Sequence, residues 1–433
     1  MATQAEIYTA VSEKLPKNFP FYDWVPKPLG IIFLVVLFIP IMTVSGAYTV
    51  NSSEMVGGLG IQSEHIAFIS FTTSIGMAAF SPFFYSLVSV RRQKMMSLVG
   101  FSILAIQSYI CANTDSMFVL ALNSLIMGFV RQTLLMCNLF TLIKYGFGIE
   151  ATRNVSPGNE PKDEAGWDAL DTEKKASQPI IYFFFMLLGQ IGTWITAWFA
   201  YNYHWQMVYY AMLGAILVAI LITLLCMPYN PYQTKRSPLS FSKFGNVVVF
   251  CLMCCSFCYV MVYGKVYDWY DDDSIYLATA ICIVSTLLFV YLEKTRRSPY
   301  FMLKAFKSRS IQGGILLFIG LMICNSSSML VNIFVGVGMK TDQIQVAALG
   351  NWVLLGYFIG LVTILILNNK GVHFKWFFAL GFVLIAAASL FMYFEVQTAG
   401  MFERMKWPVV IRATGMMLLY SLIAVYANQR MPY

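Results

Sequence analysis

About twelve long apolar stretches, separated by short polar segments, fill this chain almost from end to end. They run near residues 29–50, 66–90, 95–112, 117–143, 179–200, 207–227, 245–264, 274–292, 311–337, 346–367, 375–394 and 408–428. Most reach the roughly 20 residues that a helix needs to cross a hydrocarbon core. In lipid, only a helix or a closed barrel satisfies its own backbone polar groups. Barrel strands would alternate apolar and polar side chains every second residue, and these runs do not. The sequence therefore predicts an all-α, polytopic transmembrane helical bundle whose function concerns what crosses the membrane.

The charges support that reading and explain the net +8. When loops are assigned alternately with the N-terminus inside, 23 of the 29 Lys and Arg fall on inner segments. Four fall outside (Lys265, Lys340, Arg404 and Lys406), and Arg131 and Arg412 lie within spans. This is the positive-inside asymmetry, and it predicts a multi-pass inner-membrane protein with both termini cytoplasmic. The basic balance then reports topology and attraction to anionic lipid headgroups, not a nucleic-acid partner. No cleavable signal peptide is expected, because residues 1–27 are polar and the first apolar run is of spanning length. The nine cysteines lie mostly in spans, which argues against a disulfide framework.

Along the chain, residues 1–28 read as a cytoplasmic segment ending in Asp23-Trp24-Val25-Pro26-Lys27-Pro28, whose aromatics suit a membrane interface. Residues 29–227 form a six-helix N-terminal bundle. Its cytoplasmic loop, 144–178, is expected to be flexible or weakly helical. Residues 245–292 form a further helix pair and 293–310 a basic cytoplasmic linker. Residues 311–433 form a C-terminal bundle of four helices. Six-helix units assembled from three-helix repeats are common among secondary transporters.

Little in the chain suggests enzymatic chemistry. There is no G-x-x-x-x-G-K-[ST] phosphate loop. His65, His204 and His373 sit at span ends without the spacing of a catalytic or metal pair. No catalytic residue, metal or cofactor is expected. Cys251, Cys254, Cys255 and Cys258 follow i, i+3, i+4, i+7, one stripe of a helix, and read as small apolar packing residues. Arg131 is more informative. It lies near the middle of the fourth span, where a charge must face protein or water, and it shares a helical face with Ser124, Gly128, Leu135 and Asn138. Arg412, four residues into the last predicted span, could instead snorkel outward. Asn325, Ser328 and Asn332 lie deep in the ninth span, Gln190 in the fifth between Gly189 and Gly192, and Asn351 beside Gly350 in the tenth. Such groups also serve as helix–helix contacts. Taken together they suggest a moderately polar cavity, with Arg131, Asn138, Gln190, Asn325, Ser328, Asn332 and Arg412 as candidate substrate-binding residues. No Asp or Glu falls in the heart of a predicted span, so Glu54, just past the first span, is the proton-coupling candidate.

Five local stretches resemble the major facilitator superfamily, and within it the fourteen-helix drug:proton antiporters (EmrB-like). Arg91-Arg92-Gln93-Lys94, after Ser81-Pro82-Phe83, sits where the superfamily carries its basic loop between the second and third helices. Gly189-Gln190-Ile191-Gly192 is similar to the antiporters' fifth-helix glycine motif, with Gln190 in place of proline. Trp205-Gln206-Met207-Val208-Tyr209 is similar to the Trp-Arg-Trp-x-Phe stretch beyond that motif, with Gln206 in place of arginine. Glu293 to Arg309 is similar to the linker into the seventh core helix. Ile411-Arg412-Ala413-Thr414-Gly415 resembles the start of the tenth. The family's first-helix acid falls near Gly46 and its fourth-helix arginine near Ser124. This register makes 245–292 an inserted pair and leaves the last two core helices missing after Tyr433.

The resemblance implies proton-driven export of amphipathic or toxic small molecules, by rocking of two helix bundles around a midplane site. It also implies a periplasmic adaptor and an outer-membrane channel as partners, besides protons, substrate and the lipid bilayer. Two alternatives remain open. One is uptake or exchange of an anionic metabolite clamped by Arg131 and Arg412; the other is a non-transporting fragment.

Overall fold

The computed structural model describes residues 20–50, 55, 57, 58, 60, 62–80, 83, 93–142, 145, 146, 164–229, 241–295, 306, 308–333, 335, 343–397 and 402–427. Of these, the side chains of 44–50, 140, 164–176, 241–243, 327–333, 343 and 397 lie outside the description. The described elements are helical. Twelve long helices occur in this order: α1 (Lys27–Val50), α2 (Ser63–Ala79), α3 (Gln93–Asn113), α4 (Met117–Leu142), α5 (Glu164–Asn202), α6 (Gln206–Cys226), α7 (Phe241–Tyr263), α8 (Asp273–Thr295), α9 (Arg309–Ile333), α10 (Gln343–Asn369), α11 (Phe374–Gln397) and α12 (Phe402–Ala427). A short 3-10 turn, Trp269–Asp271, precedes α8. Among the described residues, ten helices are long and apolar enough to cross a membrane, and α1 is apolar over Lys27–Thr43.

Three boundaries differ from the sequence reading. α2 closes at Phe80, two residues before Pro82, where a following proline disfavours further helix. α5 begins at Glu164 and runs through Pro179, so the segment expected to be flexible or weakly helical continues directly into the fifth span as helix. α12 begins at Phe402 and contains Pro408. Arg412 is thus ten residues past the start of its helix, though still four past the start of the apolar run.

The chain divides into two compact units: Met1–Gly148 with Asn202–Phe301, and Ile149–Tyr201 with Met302–Tyr433. In the first unit α4 lies against α1, α2 and α3, α6 lies against α1 and α3, and the α7–α8 pair joins through α2. In the second unit α12 is the hub, touching α9, α10 and α11, and it is buried over most of its length, from Val409 to Leu422. Membrane helices gain little from apolar burial as such, so close van der Waals approach at small residues holds them together. Gly76 and Gly128 supply it between α2 and α4. A Cβ on Gly76 would run into the Leu125 carbonyl, and one on Gly128 into the Thr73 carbonyl. Gly356 and Gly360 do the same for α10 on α12, where Thr414 Oγ1 also donates to the Gly356 carbonyl at 3.1 Å.

The cytoplasmic end of the first unit, in the predicted topology, is closed by the residues leading into α1. Phe21 is fully buried, edge-on to Phe33 and Tyr145 at 6.1 and 5.8 Å. Gly30 leaves the space those rings need. The Tyr22 N–H donates to the Cys226 carbonyl at 3.0 Å, and Lys94 Nζ donates to the carbonyls of Leu224 and Met227, each at 2.8 Å. Carbonyls at a helix C-terminus lack intrahelical partners, and here a cation complements the negative end of the α6 dipole. Trp24, by contrast, is 64% exposed, as suits an interfacial ring.

Candidate functional site

In the first unit the polar stripe of α4 is pressed against α2. Gly128 brings the two backbones together, and one turn later Arg131 reaches Met77 of α2. Arg131 Nη1 donates to Met77 Sδ at 3.5 Å, and a thioether is a weak acceptor. The buried Nε has no hydrogen-bond partner. The residue is only 6% exposed, and among the described residues no carboxylate pairs with it; the ion pair found there joins Lys406 to Glu403. A guanidinium carries five N–H donors, and removing an ion from water costs several kcal/mol unless a counter-charge or further hydrogen bonds offset it. Asn138, two turns on and fully buried, donates Nδ2 to the Leu134 carbonyl at 2.9 Å, while its Oδ1 has no partner. Asn123 is structural by contrast: its Nδ2 reaches the Gln107 carbonyl and Cys111 Sγ, each at 2.8 Å, and ties α4 to α3.

The second unit holds the other predicted groups. Gln190 Nε2 donates to the Ala347 carbonyl at 2.9 Å, and Trp194 Nε1 donates to Asn351 Oδ1 at 2.9 Å. The amide of Gln190 fills a notch at Gly350, where any Cβ would collide with it. Gln190 and Asn351 are therefore engaged in joining α5 to α10. Arg412, 7% exposed, donates Nη2 to the carbonyls of Cys324 and Asn325 at 3.3 and 3.2 Å. The structure thus brings Arg412 and Asn325 together, through the Asn325 backbone. The side chains of Ser328 and Asn332, Glu54, and Arg91-Arg92 of the basic motif lie outside the described residues.

Several groups escaped the sequence reading. Tyr182, Tyr357 and Tyr420 gather from α5, α10 and α12. Tyr182 and Tyr420 stack at 5.7 Å, and Tyr182 meets Tyr357 edge-on at 6.4 Å. Tyrosine within an apolar run looks like one more hydrophobic residue, and only helix packing shows that the three converge. Glu395, expected just beyond its span, falls in the last turn of α11 and is buried, as is Glu293 at the end of α8. The four cysteines of α7 are free thiols, each partly buried.

No protein-family profile and no curated protein matches the chain. Solved structures do. A point mutant of the peptide transporter POT in complex with sulfate superposes with a TM-score of 0.55 at 12% identity, over 95% of this chain and 83% of that one. An auto-inhibited POT family peptide transporter gives 0.48 at 11% identity, over 92% and 87%. The fold is a polytopic helical bundle like that of the first of these transporters. At such identity the likeness extends to the fold alone; the drug-antiporter resemblance of the local motifs has no counterpart among these matches.

Proposed function

We propose that the chain is a secondary carrier that moves a solute bearing an anionic group across the membrane by alternating access. The observation that carries this reading is Arg131: a guanidinium on a membrane helix, buried against a thioether, with an unpaired Nε and no carboxylate partner among the described residues. Intramembrane charges of this kind mark solute paths, and a guanidinium left without its own carboxylate suits a solute that brings one, through short charge-assisted bonds. The distribution of Lys and Arg supports an inner-membrane location with both termini cytoplasmic. Glu54 is the proton-coupling group expected from sequence, and Glu395, a buried carboxyl on α11, is a second candidate.

A second reading is proton-driven export of amphipathic compounds, as the antiporter resemblance implies. The ring contacts of Tyr182 with Tyr357 and Tyr420 support it, since clustered rings offer a broad apolar surface to amphipathic compounds. An adaptor and an outer-membrane channel belong to that reading only.

The test is flux in proteoliposomes holding the 433-residue chain. Radiolabelled acetate and benzoate would be compared with a lipophilic cationic dye, under a pH gradient, with and without uncoupler. Carboxylate uptake that falls at least tenfold in Arg131→Ala is the expected result. Carboxylate uptake unchanged by R131A overturns the assignment. Uncoupler-sensitive dye transport without carboxylate flux replaces it with the export reading.

A further inference from the structure

We infer that Met77 is a displaceable stand-in for the solute's carboxylate on Arg131, and so sets how tightly the carrier holds that carboxylate. The inference deepens the carrier reading and rests on it for its place in transport, but the contact between the two side chains can be tested without flux. Met77 Sδ accepts from Arg131 Nη1 at 3.5 Å, and among the described residues Arg131 makes no other hydrogen bond. Its Nε is sealed and unbonded, whereas its Nη2 is unbonded there and not sealed. A carboxylate engages a guanidinium through two adjacent N–H donors. On the edge formed by Nη1 and Nη2, one donor is open and the other is covered by a thioether alone.

The cover is weak and movable, while the backbone beneath it is fixed. A thioether is a poor acceptor, carried here on an unbranched side chain with three rotatable bonds. Met77 is half-buried and Arg131 is buried, so the methionine has room to swing and the arginine has little. Gly76 and Gly128 lock α2 onto α4, since a Cβ on either would run into a carbonyl oxygen of the facing helix. The Met77 nitrogen itself lies 3.1 Å from the place a Cβ on residue 128 would take. Met77 is thus delivered to Arg131 by packed backbone, and only its side chain can leave. One turn further along α2, Phe80 meets Phe129 of α4 edge-on at 5.9 Å, and Phe83 meets the same ring at 5.9 Å. In such apolar surroundings a hydrogen bond is electrostatically stronger than in water. A carboxylate that displaced Met77 would exchange one weak bond for two charge-assisted ones. A strong acceptor at position 77 would instead occupy Arg131 permanently and exclude the solute.

The experiment is calorimetric titration of the purified full-length chain in detergent with benzoate, alongside SDS unfolding of the same variants. Leucine and glutamine are close to methionine in size, so Met77→Leu and Met77→Gln keep the packing. M77L, which has no acceptor, should bind benzoate at least as tightly as the native chain. M77Q, which sets a strong acceptor on Arg131, should bind it at least tenfold more weakly, and Met77→Glu should abolish binding. In proteoliposomes the M77Q defect should fall on KM with kcat kept. Unfolding reads the contact directly: M77E should raise the SDS midpoint while Arg131 is present and lower it in an Arg131→Met background, a coupling that the double-mutant cycle isolates. M77Q binding benzoate as tightly as the native chain, or M77E shifting the midpoint alike in both backgrounds, overturns the inference. A native chain that binds no benzoate overturns it together with the carrier reading. Binding that follows the expected pattern without any flux sinks the carrier reading and leaves the role of Met77 at Arg131 standing. Flux that requires Arg131 but is indifferent to M77Q does the reverse.

Discussion

Gly128→Ala should loosen the α2–α4 pair and destabilise the first unit. A methyl group at position 128 would lie far inside van der Waals contact with the Thr73 carbonyl oxygen, 2.9 Å from its carbon and 3.1 Å from the Met77 nitrogen. Optimal carbon contacts lie near 3.5–4.0 Å, and the carbonyl oxygen is the closest atom, so α2 must retreat by more than about 1 Å. The atoms in the way are helical backbone and cannot rotate aside, which puts the overpacking cost near the upper end of the usual range, about 3 kcal/mol. Alanine regains about 1 kcal/mol of helix propensity, leaving about 2 kcal/mol of net destabilisation. Gly189→Ala on α5 is the matched control: nothing lies within 4 Å of its Cβ position, so only the propensity gain applies. The assay is reversible SDS unfolding of the purified chain in mixed micelles, followed by circular dichroism. G128A should unfold at lower SDS than the native chain, and G189A at equal or higher SDS. A G128A chain as stable as G189A would refute the reasoning, since the two would then differ only in a contact that costs nothing. Because Met77 is among the residues that must shift, G128A should also slow any flux that depends on Arg131.

Arg131→Met removes a desolvated cation and leaves a side chain of similar length, so by analogy with other buried charges it should be neutral or stabilising by about 1–2 kcal/mol in the same assay while abolishing carboxylate flux; a marked loss of stability would instead mark Arg131 as a structural group. Phe21→Ala empties a fully buried ring site between Phe33 and Tyr145; a loss of about 3–5 kcal/mol is expected, with hydrogen exchange accelerated at the C-terminal turn of α6, where Tyr22 N–H meets Cys226. Asp272 Oδ1 accepts the Ser274 N–H at 2.7 Å and caps α8. Hydrogen bonds from the Ser274 side chain and backbone hold its carboxyl below the ordinary carboxylate value. A depressed folded-state value means that the cap contributes fully above the unfolded-state carboxylate range and is lost as pH falls through the lowered value. Asp272→Asn should therefore flatten that part of the acid-stability profile, and a parallel profile in the variant would refute the assignment.

The sequence by itself settled the solvent. Runs of about 20 apolar residues leave the backbone no partner but itself, which dictates helices and their number. It also singled out Arg131, because a charge in the middle of such a run is costly wherever it ends up. What Arg131 meets could not be read from the chain: that no carboxylate pairs with it among the described residues is a statement about its neighbouring helices, and Met77 is 54 residues away. The helix of α12 begins before the apolar run, at Phe402, because Glu403, Arg404 and Lys406 end the run without ending the helix, and packing against three helices buries Arg412. Gln190 and Asn351 were visible as polar residues in apolar spans, but their engagement across α5 and α10 depends on the notch at Gly350. The clustered tyrosines left no periodic or compositional trace. They come from residues 182, 357 and 420, and a side chain that is apolar along its ring and polar at its tip shows which part it offers only when tertiary structure brings its neighbours beside it.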